Sequence, residues 1–321
     1  MRSRISILAL SALAFVNAGC NRQQQRRVAV IPKGTAHVFW QSVHAGAVAA
    51  GREFKVEILW DGPPNETDYS RQLEIFDSML NRHVDGVVVA AADKTTLNAS
   101  LARAGREKTP VVVFDSGVDS QDYISFVATN NYKAGQMAGR KLGELLGGKG
   151  TVAMIQNAPG SFSTMERERG FKDAISQEFK GIEFVAEQYS MSNRAKGMSA
   201  TENILTAHPK LDGLFASSEP SAVGAAQAVK SRGLTGKLKF VGFDASEGML
   251  EDLTGGVFDA LVVQDPFRMG YEAVKAVVDK LDGKAPERQI DLPAVTVVKS
   301  DLEKPDIKQL LHPDLKKYLG Q

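Results

Sequence analysis

From residue 28 onward, short apolar runs alternate with longer helix-like segments. The runs 28–31, 56–60, 86–90 and 111–114 are rich in β-branched residues and nearly continuous in apolar side chains. Such runs suit strands of a parallel sheet covered on both faces, because neither side of the pleat meets water. Helix-like segments lie around them at 39–51, 69–82 and 95–107. Strand–helix alternation of this kind predicts right-handed βαβ units in a doubly wound sheet. The same grammar then repeats. Strands are expected at 151–156, 184–188, 213–216, 240–243 and 260–264, with helices at 166–178, 195–207, 221–232 and 247–253. Two α/β lobes of similar size therefore divide the chain near 128–131. Residues 266–281 form one more helix, which periodicity alone assigns to neither lobe.

Ahead of this pattern stands a different one. Arg2 and Arg4 precede a mainly apolar stretch, 5–16, and Ala18 and Gly19 supply small residues before Cys20. This is the layout of a secretory signal, too short for a membrane span. Its end resembles the lipobox of bacterial lipoproteins, with Asn17 where that group usually has leucine. The resemblance implies cleavage before Cys20 and lipidation of that residue, and so a chain anchored to a bacterial membrane. Simple export, with Cys20 lost or left as a free thiol, is the alternative. Residues 21–27 (NRQQQRR) follow the 1–20 signal segment as a polar tether.

Composition acts mainly by exclusion. At 321 residues, 43% hydrophobic and 24% charged, the chain is ordinarily globular and long enough for two domains. A net charge of +1 shows no basic surplus for nucleic acid and leaves a neutral ligand as the default. Cys20 is the single cysteine, so no intrachain disulfide framework exists. Residues 143–150 (GELLGGKG) nearly match a phosphate-binding loop, but Gly150 occupies the Ser/Thr position. The glycines also precede a strand instead of following one, which reads as a helix end and a turn. His37, His44, His83, His208 and His312 show no mutual ligand spacing, so no metal site is expected. The folded part holds no G-x-S-x-G elbow and no cysteine nucleophile. The chain reads as a binding protein without a cofactor, not an enzyme.

In open α/β sheets the ligand crevice lies outside the carboxyl ends of the strands. Several residues that end the expected strands are polar: Lys33, Asp115, Ser217, Ser218, Glu219, Asp244 and Gln264. Carboxylates and amides can each hold two hydroxyls of a polyol, and Phe39 and Trp40 offer flat apolar faces for a sugar ring. Each has a structural alternative. Asp244-Ala-Ser-Glu247 is also a capping-box pattern, and Asp265-Pro266 and Glu219-Pro220 resemble helix starts. Asp115 before Ser116-Gly117 could make a turn. Phe39 and Trp40 are adjacent at a helix start and point about 100° apart, so one of them belongs to the core.

At the level of longer motifs the resemblance becomes specific. IPKGTAHVFWQSVHAGA, VVVFDSG, FVATNN, ERERGF, NILTAHPKLDGLFA, FVGFDAS and ALVVQDPFRMG occur in the order seen in the ribose-binding-protein family of periplasmic receptors. The resemblance implies the type I periplasmic binding fold: two doubly wound parallel-sheet lobes joined by a three-segment hinge. It places 28–129 with 265–292 in one lobe and 130–264 with 293–321 in the other. It implies that Phe39 and Trp40 sandwich the sugar and that Asp115, Asp244 and Gln264 bind its hydroxyls. Three positions depart from the ribose binders: Ser116 and Met165 stand where that family has arginines, and Ser218 where it has asparagine. Lys33, the WDGP at 60–63 and the FDSG at 114–117 resemble the autoinducer-2 and rhamnose receptor branch. That resemblance adds Lys33, with nearby His37, to the expected ligand set. The implied function is the substrate-binding subunit of an ATP-driven (ABC) sugar importer, acting as a monomer in the periplasm or at the cell surface with permease subunits as partners. A sensory or chemotaxis receptor for a sugar or autoinducer-2-like signal is the alternative, and an exported sugar-acting enzyme a remote one.

Overall fold

The computed structural model describes residues 25–320; the expected signal segment and Cys20 lie outside them. In the first half, β1 (Arg27–Ile31), α1 (Val38–Phe54), β2 (Glu57–Trp60), α2 (Tyr69–Asn81), β3 (Gly86–Val89), α3 (Asn98–Arg106), β4 (Val111–Phe114) and β5 (Ser125–Thr129) follow in order. Next come α4 (Asn131–Leu145), β6 (Lys149–Gln156), α5 (Phe162–Glu178), β7 (Gly181–Tyr189), α6 (Arg194–Ala207), β8 (Gly213–Ala216), α7 (Glu219–Ser231), β9 (Lys239–Phe243), α8 (Glu247–Thr254) and β10 (Ala260–Val263). The chain ends with α9 (Pro266–Leu281), β11 (Gln289–Leu292), β12 (Val295–Val297), α10 (Pro305–Leu311) and α11 (Leu315–Leu319).

The strands make two six-stranded sheets with matching orders, β11-β5-β4-β3-β1-β2 and β12-β10-β9-β8-β6-β7. Each is doubly wound, reversing direction between β1 and β3 in one lobe and between β6 and β8 in the other, where ligand crevices form. The continuous apolar strands are buried because helices cover both faces, giving two core clusters per lobe. One edge departs from the parallel expectation: β12 runs antiparallel to β10. β11 runs parallel to β5 and so ends at the crevice face of the first sheet; with only Pro293 and Ala294 before β12, the chain enters the second sheet at its crevice end and must run against β10.

The chain crosses between lobes three times. It leaves β5 for α4, which packs on α5; it leaves β10 for α9, which packs on α1; and it passes from β11 to β12. The terminal helix was expected with the second lobe, but α11 instead packs on α1. Arg52 of α1 donates to the carbonyls of Lys317 and Tyr318 at 2.9 and 3.0 Å, satisfying oxygens that the short last helix leaves free.

Both crossing helices are seated by glycines. A Cβ at Gly46 or Gly270 would strike a backbone carbonyl across the α1–α9 contact, of Phe267 or Val43 respectively. Gly135 and Gly170 do the same for α4 and α5, against the carbonyls of Arg167 and Tyr132. Backbone cannot yield as a flexible side chain can, so Gly135→Ala is expected to cost about 1–3 kcal/mol of stability. A thermal melt checks this. Ligand affinity should fall in parallel, since Gly135 seats the turn of α5 that carries Arg167.

Candidate functional site

The crevices of the two lobes face each other. Two strand-end aspartates occupy equivalent places, Asp115 after β4 and Asp244 after β9. Each donates its backbone N–H to the neighbouring strand, Asp115 to Val127 at 3.0 Å and Asp244 to Val262 at 2.8 Å. Both have left-handed backbones, with φ of 54° and 67°. Non-glycine residues at such φ values are uncommon and cluster at functional sites. The capping alternative for Asp244 does not hold: the N-cap of α8 is Ser246, and no side chain caps it. The Asp244 carboxylate accepts instead from Gln264 Nε2 at 2.7 Å and from the Glu219 backbone N–H at 3.3 Å. Asp265 does cap α9, accepting from the Arg268 N–H at 2.9 Å.

Arg167 lies between the aspartates. Its guanidinium is 4.0 Å from Asp115 and 3.9 Å from Asp244, and it donates to Asn131 Oδ1 at 2.7 Å and to the Ser217 carbonyl at 3.2 Å. Phe243 supplies a flat face beneath it, 3.9 Å away. Sequence reasoning missed this residue and singled out Met165, whose side chain is 39% exposed and lies outside the cleft. A signal was present. On α5 the buried stripe runs Ser163, Thr164, Arg167, Glu168, Phe171, at helical spacing, and Met165 falls off it. The departure expected at Met165 therefore removes no guanidinium from the cleft.

Lys33, His37, Phe39, Trp40, Asp115, Ser218, Asp244 and Gln264 all line the same cleft. Lys33 Nζ sits 2.9 Å from Asp115 Oδ2 and donates across the lobes to Ser163 Oγ at 3.0 Å. Ser116 does not line the cleft; its Oγ accepts from the Ser163 N–H at 3.2 Å, a second contact between lobes. Ser218 donates to Asn157 Oδ1 at 3.0 Å. The aromatic pair does not form a sandwich with itself. The rings touch edge to face, 4.9 Å apart at 86°. Trp40 is the core member, 2% exposed against Phe114, while Phe39 remains partly exposed. Trp40 Nε1 donates to Glu66 at 2.8 Å.

Glu66 and Glu219 complete the charged set. Glu66 lies in a loop with no sequence signal, and Glu219, one of the polar strand-end candidates, is also the first residue of α7. Burial alone would raise the Glu66 carboxyl, but the charges of Lys33 and His37 and hydrogen bonds from Trp40 and Ser192 hold it below the usual range. Burial raises Asp244, against the opposing pull of Arg167 and Gln264. Among the described residues of the cleft, Gln264 Oε1 is a buried acceptor with no hydrogen bond, while Lys33 Nζ stands 2.9 Å from Asp115 Oδ2 and His37 Nδ1 3.3 Å from Glu219 Oε2. Unmade hydrogen bonds of this kind cost about 1–3 kcal/mol each, so the cleft is built to receive donors such as hydroxyls.

The lobes are closed on one another. Besides the Lys33 and Ser116 contacts, Lys94 N–H donates to the Gly160 carbonyl at 3.0 Å and Ser192 donates to Glu66 at 3.0 Å. His37 of the first lobe lies 3.3 Å from Glu219 of the second. Burial pulls His37 down, but the hydrogen bond to Glu219 and the charges of Glu66 and Glu219 outweigh it, leaving its pKa above 6.5. A raised histidine stabilises fully below its unfolded pKa, and that contribution is lost as pH rises through the folded value. Ligand affinity should therefore weaken from mildly acidic to mildly alkaline pH, and His37→Gln should flatten the profile. Calorimetric titrations across that range check this. Glu168, which burial pushes up to about 7, titrates in the same window. Its partners, Asn157 N–H at 2.9 Å and Ser217 Oγ at 2.8 Å, both belong to the second lobe, so it affects stability and not closure.

A two-lobed α/β receptor with a polar cleft at its hinge is thus the class that fold and site define. A family model for the periplasmic binding protein domain matches residues 28–285, and the chain belongs to that family. Among curated relatives, the ribose import binding protein of Bacillus subtilis is 28% identical over 71% of this chain and 73% of its own. A D-ribose/D-allose-binding protein of Pseudomonas aeruginosa is 28% identical over 84% of this chain and 86% of its own. Among solved structures, a carbohydrate transporter solute binding protein from Agrobacterium radiobacter in complex with D-arabinose is 31% identical. It matches with a TM-score of 0.87 over 90% of this chain and 99% of that one. An ABC transporter solute binding protein from Agrobacterium vitis with bound D-fucose is 33% identical, with a TM-score of 0.86 over 89% and 100%. No helix among the described residues is long and apolar enough to cross a membrane.

Proposed function

We propose that this protein captures a small sugar-like molecule between its lobes and delivers it to the permease of an ABC importer. The observation that carries the reading is the cleft itself. Carboxylates from both lobes converge on Arg167, and a buried acceptor on Gln264 lacks a hydrogen bond. A neutral polyol supplies hydroxyl donors to those acceptors and oxygen acceptors to Lys33 and Arg167 without adding charge. The relatives that bind ribose, allose, arabinose and fucose support the same class of ligand.

Delivery follows from closure. Each lobe holds part of the grip, so a ligand that contacts both stabilises the closed form by its differential affinity for the two states. In this reading the chain works as a monomer in the periplasm, held to the membrane through a lipid on Cys20. Mass spectrometry of membrane-extracted protein tests the anchor. Calorimetric titration with D-arabinose, D-fucose, D-ribose and D-allose, with small-angle scattering of the same samples, tests the function. Binding of at least one sugar with compaction is expected; no binding to any monosaccharide sinks the reading.

A further inference from the structure

We propose that the ligand is a glycoside, a sugar bearing an apolar substituent, and that the substituent leaves the cleft between Phe39 and Gln264 into a groove on the second lobe. The inference rests on the sugar-binding reading and narrows it. The polar cleft around Arg167 encloses only about 30 Å³, whereas the adjoining groove holds about 460 Å³, the size of a small-molecule site. The two adjoin, since Phe39, Asp244 and Gln264 line both.

The lining selects the chemistry. Val223 of α7, Leu250 of α8, and Leu310 and Leu311 of α10 supply its apolar surface, and Arg194, Lys230, Glu247, Glu251 and Asp252 also line it. Facing them from the first lobe is Val38, 39% exposed and one of three large apolar side chains left so open among the described residues. The opening itself is polar: Gln264 is 2% exposed, and its Oε1 accepts no hydrogen bond although its Nε2 is bonded to Asp244. A sugar hydroxyl at that oxygen with an apolar group beyond it satisfies both surfaces. An unsubstituted monosaccharide leaves the apolar surface uncovered.

The test compares free aldopentoses and aldohexoses with their phenyl glycosides by calorimetric titration, on the wild type and two groove variants. Gly248, at the first turn of α8, lines the groove, and a Cβ there meets nothing within 4 Å. Gly248→Trp therefore fills the groove without disturbing the core, and Val38→Asp makes its opposite wall polar at an exposed site. At least one phenyl glycoside is expected to bind about ten- to hundredfold tighter than its parent sugar, from the apolar area buried. Both variants should lose that gain while binding the parent within about twofold of wild type, a difference inside ordinary surface-substitution effects. Glycosides that bind no tighter than their parents, or a gain that survives in a folded variant, overturn this inference and leave sugar capture standing. If neither parents nor glycosides bind, sugar capture itself fails.

Discussion

Arg167→Ala is expected to abolish measurable ligand binding and to lower stability by about 3–5 kcal/mol, the cost of breaking a buried ionic arrangement by removing one partner. The arginine side chain is 3% exposed and stands between two buried carboxylates, Asp115 and Asp244. Without it they face each other across the cleft, and Asp244, already raised by burial and by the neighbouring charge of Asp115, loses its chief opposing influence. Asn131 Oδ1 and the Ser217 carbonyl lose a donor as well. Arg167→Lys should recover part of the stability but little affinity, because an ammonium cannot reproduce the planar fork or the stacking on Phe243. A melting curve and a calorimetric titration separate the two effects. Met165→Ala is the control. Two residues away and exposed, it should leave both within about 0.5 kcal/mol. An Arg167→Ala protein that binds normally would remove the centre of the site.

The two aspartates should respond differently to loss of charge. Asp115→Asn and Asp244→Asn are each expected to weaken binding about tenfold or more, a decade being about 1.4 kcal/mol. Asparagine is the informative replacement, because it tolerates the left-handed backbone that both positions adopt. At Asp115 the substitution leaves Lys33, 4% exposed, without its anionic partner, so stability should fall with affinity. At Asp244 the sign reverses. Its folded-state pKa is raised, so its contribution is present below the unfolded value and lost as pH rises through the folded one. At neutral pH the ionised group is a net cost that asparagine removes. Asp244→Asn should therefore melt no lower than wild type while binding more weakly. A helix-capping role would give the opposite result, a lower melting temperature with unchanged affinity.

Much of the site was legible because it lies where the backbone grammar puts it. Asp115, Ser218, Asp244 and Gln264 follow buried strands, and strand ends in doubly wound sheets open onto crevices. Arg167 sits in the ERERGF motif, but its role depends on which face of α5 is buried, and the motif alone does not state that. Glu66 carried no signal at all. It follows β2 in an irregular loop, and Trp40 and Ser192, from different elements, hold it at the cleft.

The sequence by itself determined the local elements, since continuous apolar runs bury both faces of a strand and helix ends announce themselves through Asp265-Pro266 and the glycines after α4. It determined the doubling as well, because the strand–helix series occurs twice. Short, weakly patterned pieces were decided by tertiary structure. β5 and β11 are strands because they pair with each other at one side of the sheet, and β12 runs antiparallel because the chain enters the second sheet from its crevice end. The docking of α11 on α1 depends on Arg52, some 265 residues away along the chain. The opposition of Asp115 and Asp244 around one guanidinium likewise depends on how two separately folded lobes meet. Periodicity records which face of an element avoids water. Which distant face it meets is settled by close packing of the whole, through contacts that leave no local trace in the chain.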